Sequence, residues 1–389
     1  LCVVPALPPH LQERTRWLSV AAECVGEFVV YWLHHAMRGH ENAALDVAIR
    51  IGNERDLPVL VYQGLGGRQP YGSDRHHTFI LEGARDVAAE LAARDIAHVF
   101  HLATDPGAPS PLPALVRRAA AVVVEEFPAP PFPRWTRRLA RAAPCPVAAV
   151  DAHCVVPMAS IERLYDRAFE FRERIESELD ERVPPAWNEL DVEVAPFRGT
   201  VGFEPVALAG ANFAELCATC AIDHSVPPVE HTPGGSRAGY ERWDRFAIHG
   251  LRSYARTRDD AAIAPPKGVS RISPYLHYGM VAPSRIAREA HTEGSAGAEK
   301  FLDELLVWRE LAYNLCYHRG DAVESLSVLP DWARSTLEAH AANPRPVLYS
   351  WEELARGETG DALWDLAQKS LVLHGELHNN VRMTWGKAL

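Results

Sequence analysis

The sequence predicts an α/β N-terminal domain, built on a doubly wound parallel sheet, followed by an all-α C-terminal domain. Short continuous apolar runs rich in Val and Ala alternate with helix-period segments early in the chain. Strand signals then fade, and helical patterns dominate to the end. Between the two lies a charged, Pro- and Gly-punctuated stretch. Strand–helix alternation needs crossover helices on both faces of a parallel sheet, so the boundaries fall at 25–156 (α/β domain), 157–235 (connector) and 236–389 (helical domain).

Each element has its own warrant. EFVVYWL (27–33) and LPVLVYQGL (57–65) are continuous apolar runs suited to buried strands. NAALDVAIRIGNE between them repeats apolar residues at helical spacing, and a long amphipathic helix is expected from Thr78 to Arg94. IAHVFHLA is a strand, LPALVRRAAA a helix, AAVVVEEF and PVAAVDAH two further strands. No GxGxxG follows the first strand, so the usual dinucleotide signature is missing. In the connector, YDRAFEFRERIESELDERV reads as a charged helix and TPGGSRAG as a flexible end. Beyond it RWDRFAIHGLRSYARTR, PSRIAREAHTE, AEKFLDELLVWRELAYNLCYHRG, LPDWARSTLEAHAAN and DALWDLAQKSLVLHGELHNNVRMTWG read as helices.

Composition narrows the functional classes. A hydrophobic fraction of 47% over 389 residues supports real cores, and the length favours two or three domains. No apolar run of about 18 residues suggests a membrane span, and LCVVPALPPH lacks the basic region of a signal peptide. Seven irregularly spaced cysteines fit reduced thiols in a cytoplasmic protein. The net charge of −11 argues against a uniformly basic surface but leaves room for a local basic groove.

Several stretches carry chemistry, each beside a plainer reading. CATC (217–220) with His224 and His231 lacks a second ligand pair of fitting spacing, so ordinary connector cysteines are the better reading. HGELH (374–378) has its glutamate one place out of register for a zinc hydrolase, although a helix would put His374 and His378 on one face. No metal site is therefore expected. In GVSRISPYLHYG (268–279), Ser270, Arg271 and Ser273 offer hydroxyl, backbone and guanidinium donors at a helix start, with Ser273 as cap and Pro274 in first position. Such a turn can hold a phosphate, though Ser-Pro helix starts are commonly structural. FLDELLVWRELAYN places Glu304 and Trp308 four apart, on one helical face or simply on an amphipathic surface. Trp364 and Trp385 are a helix length apart, serving either packing or an electron relay.

Taken together these stretches resemble the photolyase and cryptochrome family, and most closely the class II cyclobutane pyrimidine dimer photolyases. VVYWLHHAMRGHENAAL is similar to the family's first strand and loop, keeping Arg38, Glu41 and Asn42 of a worn acidic-Arg pattern. RHHTFILEGARDVAAEL resembles the RHxDFMLxGL helix, and AVDAHCVVP the VDxHxxVP segment. SRISPYLHYG, DELLVWREL, ALWDLAQ and GELHNNVRMTWGK then match the flavin domain, in family order.

The resemblance implies FAD, bent into a U in the helical domain. By residue match, Tyr254 and the turn Ser270, Arg271, Ile272 and Ser273 would hold the pyrophosphate region, and Arg309, Asn379 and Arg382 would line the flavin ring. Glu304, Trp308, Asn379 and Met383 would form the catalytic set, with Glu304, Trp308 and Met383 facing a flipped pyrimidine dimer. Damaged bases stack poorly and are cheaper to extrude. Stacking on a tryptophan contributes on the order of 1–3 kcal/mol per base, and a hydrogen-bonded glutamate can stabilise arriving charge. Trp385 and Trp364 would carry electrons to oxidised FAD. The implied partner is dimer-containing DNA, the implied state a monomer, and an antenna chromophore of deazaflavin or folate type is possible.

Departures sharpen the alternatives. Asn379 stands where class II members usually carry glycine, which is more like class I and points to an outlying subgroup. The family also continues past this point with a segment rich in Asn, Asp and Gly. The start at LCVVP without methionine favours an incomplete sequence, and a helix continuing beyond Leu389 is expected. Light-driven dimer repair is the leading function, a cryptochrome-like photoreceptor the alternative, and the remainder a homologue that binds single-stranded or structured nucleic acid or one that has lost its cofactor.

Overall fold

The continuous apolar runs form the central strands of a six-stranded sheet. In the computed structural model, which describes residues 6–20, 24–66, 71–105 and 107–388, the strands are β1 (Thr15–Ser19), β2 (Phe28–Leu33), β3 (Val59–Leu65), β4 (Ala97–Leu102), β5 (Ala119–Glu125) and β6 (Val147–Val150). Their order is β1-β6-β5-β2-β3-β4. Every neighbouring pair is parallel except β1–β6, which is antiparallel with Trp17 opposite Ala148. β2 and β5 are buried along their whole length, as strands covered on both faces must be. β1 is the strand the sequence reading missed. It is a half-buried edge strand whose TRWLS lacks a continuous apolar run.

One sheet face packs Val29, Tyr31 and Leu33 against the helices Ala43–Arg55 and Asp74–Ala92. The other packs Phe28, Val30 and Trp32 against the helix Leu112–Arg118 and neighbouring side chains. Asn42 caps the helix Ala43–Arg55 by accepting from the amides of Ala44 and Leu45 at 3.1 and 3.2 Å. The expected helix 112–121 is shorter, because Ala119–Ala121 join β5 opposite Phe28 and Val29. Sheet pairing there overrides alanine's helix preference.

The expected flexible segment TPGGSRAG is instead packed. A Cβ on Gly234 would lie 2.0 Å from the Phe79 carbonyl oxygen, and Gly235 has φ of +107° against Asp86. These glycines serve close approach, and the helix Ser236–His249 begins directly after them. The first buried cluster runs on without interruption into Trp243, Phe246, Tyr275, Met280 and Leu305 of the helical region. A third cluster joins the connector (Phe171, Ile175) to Val307.

The C-terminal region is helical throughout, including Pro283–Glu293, Ala296–Leu302, Arg309–Arg319, Asp331–Ala339, Ala362–His374 and Asn379–Lys387. The single long helix expected over 361–386 breaks at Gly375, whose φ of +68° ends the helix at His374. No helix of the described residues is long and apolar enough to cross a membrane.

Candidate functional site

The turn before the helix Ser273–His277 lines a cleft of about 260 Å³. Ser270, Arg271, Arg242, Arg245, Glu241 and Tyr275 are among its lining residues. Arg271 adopts a left-handed φ of +54°, an uncommon conformation for a residue with a Cβ. Its guanidinium reaches Glu376 at 2.9 Å, and Arg242 reaches the same carboxylate at 3.2 Å. Arg242 also donates to the Arg271 carbonyl at 3.1 Å. A glutamate from the C-terminal segment therefore pairs with two arginines of the cleft lining. The capping expectation for this turn fails. Ser273 lies inside the helix, Ile272 is the capping position and is buried, and no side chain caps. Tyr254 packs its ring between Phe246 and Phe301 at 5.6 and 5.7 Å.

The segment Asp303–Trp308 is a π-helix continuing Ala296–Leu302. Its wider turn alters the spacing assumed for Glu304 and Trp308, and single π turns are frequent at functional sites. Glu304 pairs with Arg258, and with Lys300 at 2.8 Å. Trp308 is 51% exposed. Arg309 turns the other way: it donates to the His153 carbonyl at 3.0 Å and lies over the Tyr313 ring at 4.6 Å. In this arrangement Arg309 ties the helical region to the end of the α/β domain rather than approaching Asn379 or Arg382.

The last two helices bring Trp364 and Trp385 together. Their rings stack with centroids 5.9 Å apart and planes 16° from parallel. The Trp364 indole N–H donates to the Trp385 carbonyl at 3.2 Å, while the buried Trp385 Nε1 has no acceptor. On the same helix Arg382 donates to Asn379 Oδ1 at 2.7 Å, and Met383 is half-exposed. Among the described residues, no hydrogen bond, ion pair or ring contact joins the 304–309 group to the 379–385 group. Docking of this helix pair rests on Glu376, on Arg75 donating to the Val372 carbonyl at 2.7 Å, and on Gly375 against Val229.

The two metal motifs set aside in the sequence dissolve in the fold. Cys217 and Cys220 are buried free thiols, and burial pushes both up. His224 pairs with Asp74 at 2.9 Å instead. The break at Gly375 separates His374 from His378, which accepts from the Asn380 amide at 3.2 Å as a helix cap.

Sequence reasoning missed a different gathering. The strand order reverses around β2, with β3 and β4 on one side and β5 and β6 on the other. Open α/β sheets bind ligands at such a reversal, beyond the carboxyl ends of the strands. There His34 and His35 follow β2, Glu125 ends β5 and His153 follows β6. Burial pushes the His34 imidazole down to about 4 and His35 well below its ordinary value. The doublet HH after a buried strand was the available signal. Arg242 and Glu376 were also missed as partners, because nothing in sequence pairs positions 134 residues apart.

Comparison with known proteins fits this architecture. Residues 29–187 match the sequence profile of the DNA photolyase family. The deoxyribodipyrimidine photo-lyase of Methanothermobacter thermautotrophicus is 32% identical over 368 residues, covering 94% of this chain and 78% of that protein. That of Oryza sativa is 34% identical over 396 residues, covering 97% and 75%. Two solved structures share the fold: a class III photolyase from Agrobacterium tumefaciens (TM-score 0.68, 20% identity, 94% of this chain and 73% of that one) and a Synechocystis cryptochrome (TM-score 0.70, 17%, 93% and 74%). The sheet, the helical region and the identity to curated photo-lyases over nearly the whole chain together show that the protein belongs to the DNA photolyase family.

Proposed function

We propose that the chain is a light-driven, FAD-dependent lyase acting on cyclobutane pyrimidine dimers in DNA. The observation that carries the reading is the stacked Trp364–Trp385 pair, an arrangement suited to feeding electrons to a redox cofactor. The donor set around the cleft supports it. Arg242, Arg245, Arg271 and the Ser270 hydroxyl are the groups that a dinucleotide diphosphate needs. When bound and reduced, FAD would supply the light-excited electron that opens the cyclobutane ring and would take it back once the two bases have separated.

The chain's own residues have narrower tasks. Arg242 and Arg271 balance diphosphate charge, at the expense of the contact both make to Glu376. Trp308, exposed on the π turn, offers a face for an extruded base, and Met383 an apolar contact. Glu304 supplies a carboxylate, buffered by Arg258 and Lys300 until substrate competes for it. An antenna chromophore of deazaflavin or folate type, and a monomeric state, remain part of the proposal. The engagement of Glu304 with two cations, together with the net charge of −11, favours a second reading as a cryptochrome-like photoreceptor.

Two measurements on purified protein test the first reading. Flavin bands are expected in the absorption spectrum, with an additional near-ultraviolet band if an antenna is present. Dimer-containing oligonucleotide is expected to bind more tightly than undamaged DNA, with affinity falling as salt rises. Absence of both flavin and dimer preference overturns the repair reading, and flavin without dimer preference favours the photoreceptor.

A further inference from the structure

The helix Phe132–Ala142 joins β5 to β6 and reads FPRWTRRLARA. Residues 127–150 hold four arginines and no carboxylate, in a chain whose net charge is −11. At about 100° per residue, Arg134, Arg137, Arg138 and Arg141 fall within one arc of about 100°. Thr136 and Leu139 lie on the opposite side and are buried, Leu139 in the cluster beneath that sheet face. All four arginines are exposed, and Trp135, at the edge of the arc, is 45% exposed. The cleft lies elsewhere, with its lining drawn from residues 231–275.

Helix stability does not account for this charge. Arg141 in the last turn suits the helix dipole, but Arg134 in the first turn opposes it. Arg134 with Arg138, and Arg137 with Arg141, are like charges four residues apart, which destabilise a helix. Arg134 meets Glu324 at 3.2 Å, with both side chains more than half exposed. Surface pairs of that kind contribute little and yield to a stronger anion. Among the described residues, no carboxylate pairs with Arg138 or Arg141. A bound polyanion would offset the repulsion along the whole face.

We propose that the exposed face carrying Arg134, Trp135, Arg138 and Arg141 is an auxiliary docking surface for single-stranded nucleic acid, separate from the cleft. Arg134 to Arg141 spans about 10 Å of helix axis, comparable to three successive phosphates of one strand. Guanidinium groups match phosphate geometry. Trp135 offers a ring face to an unpaired base beside that backbone, and cationic surface next to an aromatic ring is the usual combination for single strands. A lipid surface fits less well. An interfacial helix buries its apolar side in the acyl boundary, and here that side already packs on the sheet. The contact needs neither flavin nor light, so it stands apart from the repair reading.

Anisotropy of a short, labelled, undamaged oligothymidylate mixed with the full chain in the dark tests this. The wild type is expected to bind, more weakly as salt rises. Arg138→Ala/Arg141→Ala is expected to weaken binding at least about tenfold at low salt and to reduce the log–log salt slope by about 1.4, at roughly 0.7 per lost phosphate contact. Trp135→Ala is expected to weaken it about fivefold or more. Arg163→Ala/Arg167→Ala removes the same charge from exposed positions of the connector and is expected to leave binding unchanged. No oligonucleotide binding by the wild type overturns the proposal, as does equal weakening by the two double variants or an unchanged slope. Binding to phosphatidylserine vesicles without binding to the oligonucleotide overturns it in favour of a lipid surface. Should Trp135→Ala fail to fold, the exposed arginine variants still decide.

Discussion

Arg38 illustrates how a residue kept from a worn motif can serve the fold. Its buried guanidinium donates to the carbonyls of Gly279 and Ala152 at 2.8 Å each, and to Glu41 at 3.1 Å. One side chain thus ties the α/β domain to the helical region. Arg38→Ala would leave those carbonyls without their donor and create a cavity, a loss of on the order of 3 kcal/mol or more, measured by denaturant unfolding. Glu310 gives a prediction about pH. Burial pushes its carboxyl up to about 7 from 4.5, against the opposing pull of Arg309, while it accepts from the Val155 and Val156 amides at 2.6 and 3.3 Å. The folded state therefore holds a proton that the unfolded chain releases between those values, and stability falls as pH rises through that window. Glu310→Gln should flatten the fall, so wild type should lose more Tm than the variant between about pH 5 and 7. Equal slopes would remove Glu310 as the source.

At the scale of elements, the helix pair Ala362–His374 and Asn379–Lys387 depends on few anchors, of which Glu376 engages the most partners. Glu376→Gln keeps the shape but removes the charge shared by Arg242 and Arg271. Amides of 379–387 should then exchange several-fold faster, and inorganic diphosphate should bind the cleft more tightly. Unchanged exchange and unchanged diphosphate affinity would mean the clasp is incidental. The tryptophan stack makes the other element-scale prediction. Trp385→Phe keeps an aromatic ring but removes the readily oxidised indole, so photoreduction of oxidised, FAD-loaded protein should slow by at least about tenfold, as one step of the relay is lost. A wild-type rate would discard the relay.

At the scale of the molecule, the central strands were legible as continuous apolar runs, because burial on both faces imposes that composition, and the edge strand β4 was legible from the mixed pattern of IAHVFHLA. β1 escaped because an edge strand needs no such run. Gly234 and Gly235 were misread as flexible for a similar reason: composition cannot tell a glycine chosen for freedom from one chosen for close contact. The site was legible in pieces. Ser270, Arg271, Trp364 and Trp385 were singled out from their motifs, and the fold sets Arg271 beside Glu376 and stacks Trp364 on Trp385. The partnership of Arg242 with Glu376 and the approach of His34 and His153 to Glu125 come from the three-dimensional path of the chain. Arg309, another matched motif residue, donates to the His153 carbonyl across the two regions.

The central claim is that this scaffold turns light into dimer cleavage. Reduced, FAD-loaded protein mixed with an oligonucleotide carrying one cyclobutane thymine dimer should restore the intact bases under near-ultraviolet or blue light and leave the dimer untouched in the dark, followed by the return of base absorbance. A reduced, flavin-loaded protein that binds the oligonucleotide yet restores no bases in the light would contradict the account.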